Sequence, residues 1–231
     1  MTTVSKDTMK RVLSDVKQIM RNPLHDNGIY YKHDDENALI GYAMIVGPED
    51  TPYQYGYYLF EISFPLDYPH SPLSFAFKTA DGETRFHPNF YRSGKCCVSI
   101  LNTWKGEQWT SCQTLSSVLL TISSLFDANP ILNEPGVSRS HADYKNYHDV
   151  IAYKNMEVSI ISILEDTHKF SYITDVFTEE IRDNFEKNKD KIEQFLDKHK
   201  EDSPVYIETN LYRLRSLIDY ESIYYRFVKL K

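Results

Sequence analysis

Hydrophobic residues spaced three and four positions apart mark the first element of the chain. Over residues 8–21 they recur at the interval that places side chains on one face of a helix, and Asn22-Pro23 ends the pattern. We therefore predict a helix there, with an apolar face made of Met9, Val12, Leu13, Val16, Ile19 and Met20. Its basic residues fall mostly on the opposite side, as either a solvated face or a docking surface.

The apolar period changes to two in the next part of the chain. The alternation is clearest over residues 58–64, where apolar positions alternate with Leu59, Glu61 and Ser63. Segments 29–32, 39–46 and 73–77 are also apolar, and turn-forming or proline-rich stretches separate them. Four such segments joined by turns predict four strands in an antiparallel meander.

Helical spacing returns in the second half. Residues 113–126 and 147–164 each predict a helix. Beyond them, one or two charged amphipathic helices end at Ser203-Pro204, with an apolar stripe made of Ile173, Phe177, Ile181, Phe185, Ile192, Phe195 and Leu196. We expect a last helix from about Glu208, carrying Leu211, Leu214, Ile218 and Phe227. The fold class is thus α+β: a four-stranded meander with an N-terminal helix, a central helix and C-terminal helices, followed by a helical C-terminal extension.

Composition and charge narrow the kind of partner. The 231 residues are 41% hydrophobic and 26% charged, as in ordinary globular proteins, and the net charge is −7. A nucleic-acid binder needs a basic face for phosphates, and none is visible. Residues 1–10 lack an apolar signal region, and the longest mostly apolar run, 38–46, is too short to span a bilayer as a helix. We expect no nucleic acid and no membrane as partners, and an intracellular location, cytoplasmic or nuclear.

The three cysteines are Cys96, Cys97 and Cys112. An odd number of cysteines, without a framework spacing or an export signal, favours free thiols in a reducing compartment. The spacing does not fit a zinc site, and His87 is the only histidine close by in sequence. We therefore expect neither a metal nor a cofactor.

The adjacent thiols differ in their expected direction. In an extended segment, Cys96 points with Val98 and Ile100 towards the interior, which leaves Cys97 accessible as a nucleophile. His87 lies ten residues earlier and would be the base of a cysteine protease, the runner-up among enzymes. However, His87-Pro88-Asn89 is typical of a tight turn that histidine locks by hydrogen bonding. Asn89 either donates to an oxyanion or holds the turn, and the two roles are compatible.

Several motifs, in their order and spacing, resemble those of the ubiquitin-conjugating enzymes. Residues 47–53, GPEDTPY, resemble the family's GPxDTPY turn, and residues 64–72, FPLDYPHSP, resemble its FPxDYPxxPP connection. His87-Pro88-Asn89 stands where the family has its HPN motif, and Cys97 follows Asn89 by eight residues, as in that family. Further matches are Trp109, Asn129-Pro130 and Glu134-Pro135.

The resemblance implies a domain division and a reaction. Residues 1–165 would form the ubiquitin-conjugating (UBC) core, and residues 166–231 the helical extension. An activating enzyme (E1) would present ubiquitin or a ubiquitin-like modifier as a thioester. Cys97 would take over the acyl group, and a lysine of a protein substrate or a cysteine of a ligase (E3) would then attack it. Asn89 would stabilise the oxyanion, and Glu134 resembles an acidic gate position that orients and deprotonates the lysine.

Departures from the family pattern leave the modifier open. Residues 79–85 and 103–108 are insertions, and the loop before Glu134 is longer than usual. The NFYRxGKxCxSIL and NEPG patterns resemble the large conjugating enzymes with C-terminal extensions, some of which use unusual modifiers or activating enzymes. Leu120 would lie on the outer face of the second helix, where the family packs the donor ubiquitin. A non-catalytic ubiquitin-binding adaptor on the same fold is the second functional class.

Overall fold

The computed structural model describes residues 4–167 and 170–230. Helix α1 spans Lys6–Arg21, and Ser5 caps its start by accepting a hydrogen bond from the Thr8 backbone N–H at 3.0 Å. A serine at this position satisfies one of the free N–H groups of the first turn. The cap explains why the helix begins two residues earlier than the apolar pattern predicts. The buried part of its apolar face consists of Val12, Val16 and Ile19.

The predicted antiparallel meander is confirmed. Strands β1 (Ile29–His33), β2 (Ile40–Val46), β3 (Tyr57–Ser63) and β4 (Ser74–Phe77) lie in that order, each antiparallel to the next. Alternate side chains point to opposite faces of the sheet. One face contributes Ala43, Ile45, Tyr58, Phe60 and Ile62 to the main core, and the other contributes Met44, Tyr57 and Leu59 to a second apolar cluster.

The two predicted helices after the sheet are present. Helix α2 spans Leu115–Ser123, and helix α3 spans Tyr144–Lys154. Helix α3 runs on through a π-helical stretch, Asn155–Ile161, into α4, Ser162–Leu164. The Asn155 side chain is fully buried and satisfied, because its Oδ1 accepts from Tyr58 Oη at 2.7 Å and its Nδ2 donates to the Gln54 carbonyl at 2.9 Å. These bonds tie the helix to the region of β3.

The extension contains helices α5 (Ser171–Thr174), α6 (Thr178–His199) and α7 (Tyr220–Val228). The prediction of one last helix from about Glu208 is wrong, because β5 (Val205–Glu208) and β6 (Arg215–Ile218) form an antiparallel hairpin before α7. The chain between the strands holds two consecutive residues with left-handed φ, Tyr212 at 60° and Arg213 at 50°. A right-handed helix cannot contain that conformation. None of the described helices combines the length and apolar composition that a membrane span requires.

The extension covers the second face of the sheet. Met44, Tyr57 and Leu59 belong to the same apolar cluster as residues of the extension and of the helix before it, namely Ile163, Phe170, Ile173, Phe177 and Ile181. Polar contacts border this cluster: Lys32 Nζ donates to the Val176 carbonyl at 2.8 Å and bonds to the Glu180 carboxylate. The stripe that begins at Ile173 therefore has its partner, and the extension is a packed part of the fold.

Removing one ring from this cluster tests its contribution to stability. Phe177 is 0% exposed, so we expect Phe177→Ala to lower the free energy of unfolding by about 3–5 kcal/mol through lost burial and a cavity. Tyr225→Ala is the matched control, because Tyr225 lies in the same extension but is 60% exposed. Urea denaturation measures both variants. Equal effects from the two substitutions would contradict the proposed packing.

Candidate active site

His87 organises the turn that precedes the cysteines. Its side chain is fully buried, and Nδ1 accepts a hydrogen bond from the Asn89 backbone N–H at 3.0 Å. Burial, with a smaller contribution from the Arg85 charge, lowers the pKa of His87 to about 3. The ring is therefore neutral at physiological pH, which keeps Nδ1 an acceptor. The predicted tight turn, locked by its histidine, is confirmed.

Asn89 and Cys97 are joined by two hydrogen bonds. The Cys97 backbone N–H donates to the Asn89 carbonyl at 2.8 Å, and Asn89 Nδ2 donates to the Cys97 carbonyl at 2.6 Å. The eight-residue spacing thus closes a loop that places the asparagine amide beside the cysteine backbone. The amide nitrogen carries two hydrogens, so one of them remains for another acceptor. Asn89 consequently has a structural role, and its chemistry also allows an oxyanion contact.

The expectation that Cys97 is accessible is wrong, since its exposed fraction is 3%, the same as that of Cys96. Alternation predicts the direction of a side chain but not which other parts of the chain cover it. Two loops flank this segment. The His87 turn pairs with it on one side, through a bridge between Phe90 and Cys96. On the other side, Thr103 Oγ1 donates to the Cys96 carbonyl at 3.0 Å and accepts from the Val98 backbone N–H at 2.9 Å.

Exposure therefore does not distinguish Cys97 from Cys96, but their contacts with Asn89 do. Burial raises the pKa of Cys96 to about 12, so its reactive thiolate form is strongly disfavoured near neutral pH. Asn89 accepts one hydrogen bond from the Cys97 backbone N–H and donates one to the Cys97 carbonyl. Cys112, the third free thiol, is exposed and lies outside this loop system. Cys97 is thus the cysteine whose backbone the asparagine amide contacts.

Glu134 follows a short 3₁₀ turn, Pro130–Asn133, and is half-buried. Its Oε2 accepts a hydrogen bond from the Tyr212 hydroxyl, which lies 78 residues away in the extension. Tyr212 in turn lies beside Arg85, whose guanidinium carbon is 5.1 Å from the centre of the tyrosine ring. Arg85 Nε donates to the His87 carbonyl at 3.1 Å. Tyr212 and Arg85 therefore connect Glu134 to the His87 turn. No local sequence pattern predicts this arrangement.

Leu120 lies on the outer side of α2, as the sequence predicts. It is 41% exposed, whereas its neighbours Val118, Leu119 and Ile122 are buried. The exposed part of the Leu120 side chain is therefore available for an apolar contact with another protein.

The structure weighs against a cysteine protease. Nδ1 of His87 is engaged by the turn, and a ring with a pKa of about 3 is too weak a base to take a thiol proton near neutral pH.

Within residues 4–167 and 170–230, no group of three histidine, cysteine, aspartate or glutamate residues is arranged to hold a metal ion.

Comparisons with known proteins point to one family. A family model described as "Ubiquitin-conjugating enzyme" matches residues 11–157. Ubiquitin-conjugating enzyme E2 Z of Xenopus tropicalis is 40% identical over 164 residues, which cover 70% of this chain and 52% of that protein. The Homo sapiens E2 Z is 40% identical over 158 residues, covering 67% of this chain and 44% of its own. The chain therefore spans about half the length of these relatives.

A further relative is far longer. Dual E2 ubiquitin-conjugating enzyme/E3 ubiquitin-protein ligase BIRC6 of Homo sapiens is 44% identical over 121 residues, which are 49% of this chain but 2% of that protein. The similarity thus concerns one region of that relative.

The buried neutral His87 makes stability depend on pH. Below its ordinary pKa of 6.5 the unfolded chain binds a proton that the folded protein does not bind until about pH 3. The free energy of unfolding therefore falls as pH falls through this window, by up to about 1.4 kcal/mol per pH unit from this group. We expect His87→Asn to show a shallower loss between pH 6 and 4.5 in urea unfolding.

The difference in pH dependence between the wild type and His87→Asn reports the contribution of His87 alone. His33 and His199, whose pKa values burial also lowers, contribute to wild type and variant alike. Identical slopes of unfolding free energy against pH would show that His87 is not held neutral in the folded protein.

Proposed function

The chain belongs to the ubiquitin-conjugating enzyme (E2) family, and on that premise we propose that it accepts ubiquitin or a ubiquitin-like modifier from an activating enzyme as a thioester on Cys97. It then passes the modifier to a substrate lysine or to a ligase. The observation that carries this proposal is the pair of hydrogen bonds between Asn89 and Cys97. They hold a side-chain amide donor next to the candidate nucleophile, as acyl transfer requires.

The first step is thioester exchange. The Cys97 thiolate attacks the carbonyl carbon of the incoming thioester, a new sulfur–carbon bond forms, and the activating enzyme's thiolate leaves. The bonds made and broken are of the same kind, so the reaction needs little driving force from the protein. A neutral His87 fits this chemistry, because an incoming acyl group that is already activated does not need a strong base beside the cysteine. The remaining N–H of the Asn89 amide is the candidate donor to the oxyanion.

The second step transfers the acyl group to an amine. The lysine nitrogen attacks the thioester carbonyl, an amide bond forms, and the Cys97 thiolate leaves. We propose that the Glu134 carboxylate accepts a hydrogen bond from the lysine and takes up the proton that the nitrogen loses. General-base assistance of this kind contributes typically 10²- to 10⁴-fold to rate.

The domain division follows the same proposal. Residues 1–165 would carry the acyl-transfer chemistry, and residues 166–231 would be the extension, of which the part around Phe177 packs against the sheet. We propose that Leu120 contacts the bound modifier, since its 41% exposure offers an apolar surface on α2. Ligases and substrate proteins complete the set of proposed partners.

A non-catalytic ubiquitin-binding adaptor is the second candidate, and one observation favours it: Cys97 is only 3% exposed. A nucleophile has to be reached by the incoming thioester. Incubation with ATP and a panel of activating enzymes and modifiers separates the two functions. An adaptor forms no adduct, whereas the enzyme forms one that a reductant removes.

Exchange of each thiol for a hydroxyl identifies the acceptor. We expect Cys97→Ser to give a slower, reductant-resistant oxyester in place of the thioester, and Cys96→Ser, the matched control, to charge as the wild type does. Non-reducing and reducing gels of the charging reaction measure both. If Cys96→Ser abolishes charging in a folded protein and Cys97→Ser does not, the assignment of Cys97 is wrong.

Transfer to lysine is expected to depend on Asn89 and Glu134 more than charging does. Asn89→Ala and Glu134→Ala should still form the thioester, and discharge to free lysine should slow by about 10²-fold when an oxyanion donor is lost. Single-turnover discharge of the purified thioester measures this. Since Asn89→Ala also removes a bond to the Cys97 carbonyl, thermal melting accompanies the assay. Unchanged discharge in both variants would refute their proposed roles and leave Asn89 its structural one.

A further inference from the structure

The loop between β5 and β6 brings one tyrosine of the extension to Glu134. The Tyr212 hydroxyl donates to Glu134 Oε2. Burial and the Glu134 carboxylate together raise the pKa of Tyr212 far above its usual value, so the phenol keeps its proton and remains a donor. Of the two carboxylate oxygens, one is thus engaged by the extension and the other is left for a substrate.

The surroundings of the ring fix its position. The ring centre of Tyr147, a fully buried residue of α3, lies 5.8 Å from that of Tyr212. On another side the Arg85 guanidinium carbon is 5.1 Å from the Tyr212 ring centre, and Arg85 is held in turn by the His87 carbonyl and by the Tyr91 ring at 3.5 Å. The hydroxyl of Tyr212 is therefore aimed by contacts with the core of the protein.

Hydrogen bonds also hold the backbone of the loop between β5 and β6. The Leu211 backbone N–H donates to Asp143 Oδ2 at 2.8 Å, and the Arg92 guanidinium donates to the Tyr212 carbonyl. Tyr212 and Arg213 both adopt left-handed φ, which non-glycine residues rarely do in succession. Such conformations persist only where surrounding contacts impose them, and they cluster at functional sites.

We propose that Tyr212 is a positioning residue for transfer to lysine, through which the C-terminal extension completes the acceptor side of the active site. The inference rests on the proposed role of Glu134. A glutamate side chain has several rotamers, and the phenol selects the one that presents the second carboxylate oxygen. The extension thereby acts in the reaction as well as in the packing of the sheet.

Four proteins test this: the wild type, Tyr212→Phe, Glu134→Gln and the double variant, each charged and then discharged to increasing concentrations of free lysine. We expect Tyr212→Phe to charge normally and to discharge about 3- to 10-fold more slowly at saturating lysine, the size expected for one lost hydrogen bond. In the Glu134→Gln background the same substitution should have no further effect, because Tyr212 acts through Glu134. A merely structural role would add its loss in both backgrounds.

Tyr206→Phe is the matched control, because the Tyr206 hydroxyl also donates to a glutamate, Glu208, in the same extension at 2.9 Å but in an exposed position. It should discharge at the wild-type rate. Thermal melting of each variant verifies folding, and phenylalanine retains the ring that packs on Tyr147. A slow Glu134→Gln with a Tyr212→Phe as fast as or faster than wild type overturns the inference alone. A Glu134→Gln that discharges normally overturns the proposed role of Glu134, and the inference with it.

Discussion

A single buried hydrogen bond, from the Asn89 backbone N–H to Nδ1 of His87, sets the geometry on which the candidate site depends. It requires an unprotonated imidazole, and complete burial supplies one by making the charged form too costly. With the turn fixed, Asn89 reaches Cys97 through both its backbone carbonyl and its side-chain amide. The His87 carbonyl is then also in place to accept from Arg85, which extends the ordered region towards Tyr212 and Glu134.

The extension is part of this arrangement in two ways. Residues around Phe177 cover the face of the sheet that carries Met44, Tyr57 and Leu59, so the sheet is buried on both sides. The hairpin after α6 then brings Tyr212 to Glu134. One segment therefore both covers the sheet and contacts Glu134 of the candidate site, which lies 78 residues before Tyr212 in the chain.

Local patterns predict the elements whose packing is simple. Helix α1 has one apolar face, which spacing of three to four residues reveals, and the four strands are short apolar segments that turns separate. The hairpin was not predictable in this way, because Leu211, Leu214 and Ile218 happen to fall at helical intervals while a left-handed turn interrupts the chain at Tyr212. The burial of Cys97 and the contact between Tyr212 and Glu134 both depend on how segments distant in sequence pack together. The alternation of apolar and polar residues within one segment predicts neither the burial of Cys97 nor the contact of Tyr212.

The identity of the thiol that carries the modifier in the wild-type protein is the most direct test of the proposed site. The charged chain is denatured in acid, since Cys96 and Cys97 are both buried, and its free thiols are alkylated with a light reagent. Hydroxylamine then releases the acyl group, a heavy reagent labels the thiol set free, and peptide fragmentation by mass spectrometry reads the position. If Cys97 is the acceptor, it will carry the heavy label, and Cys96 and Cys112 will carry the light one. A heavy label on Cys96 or Cys112 would contradict that assignment.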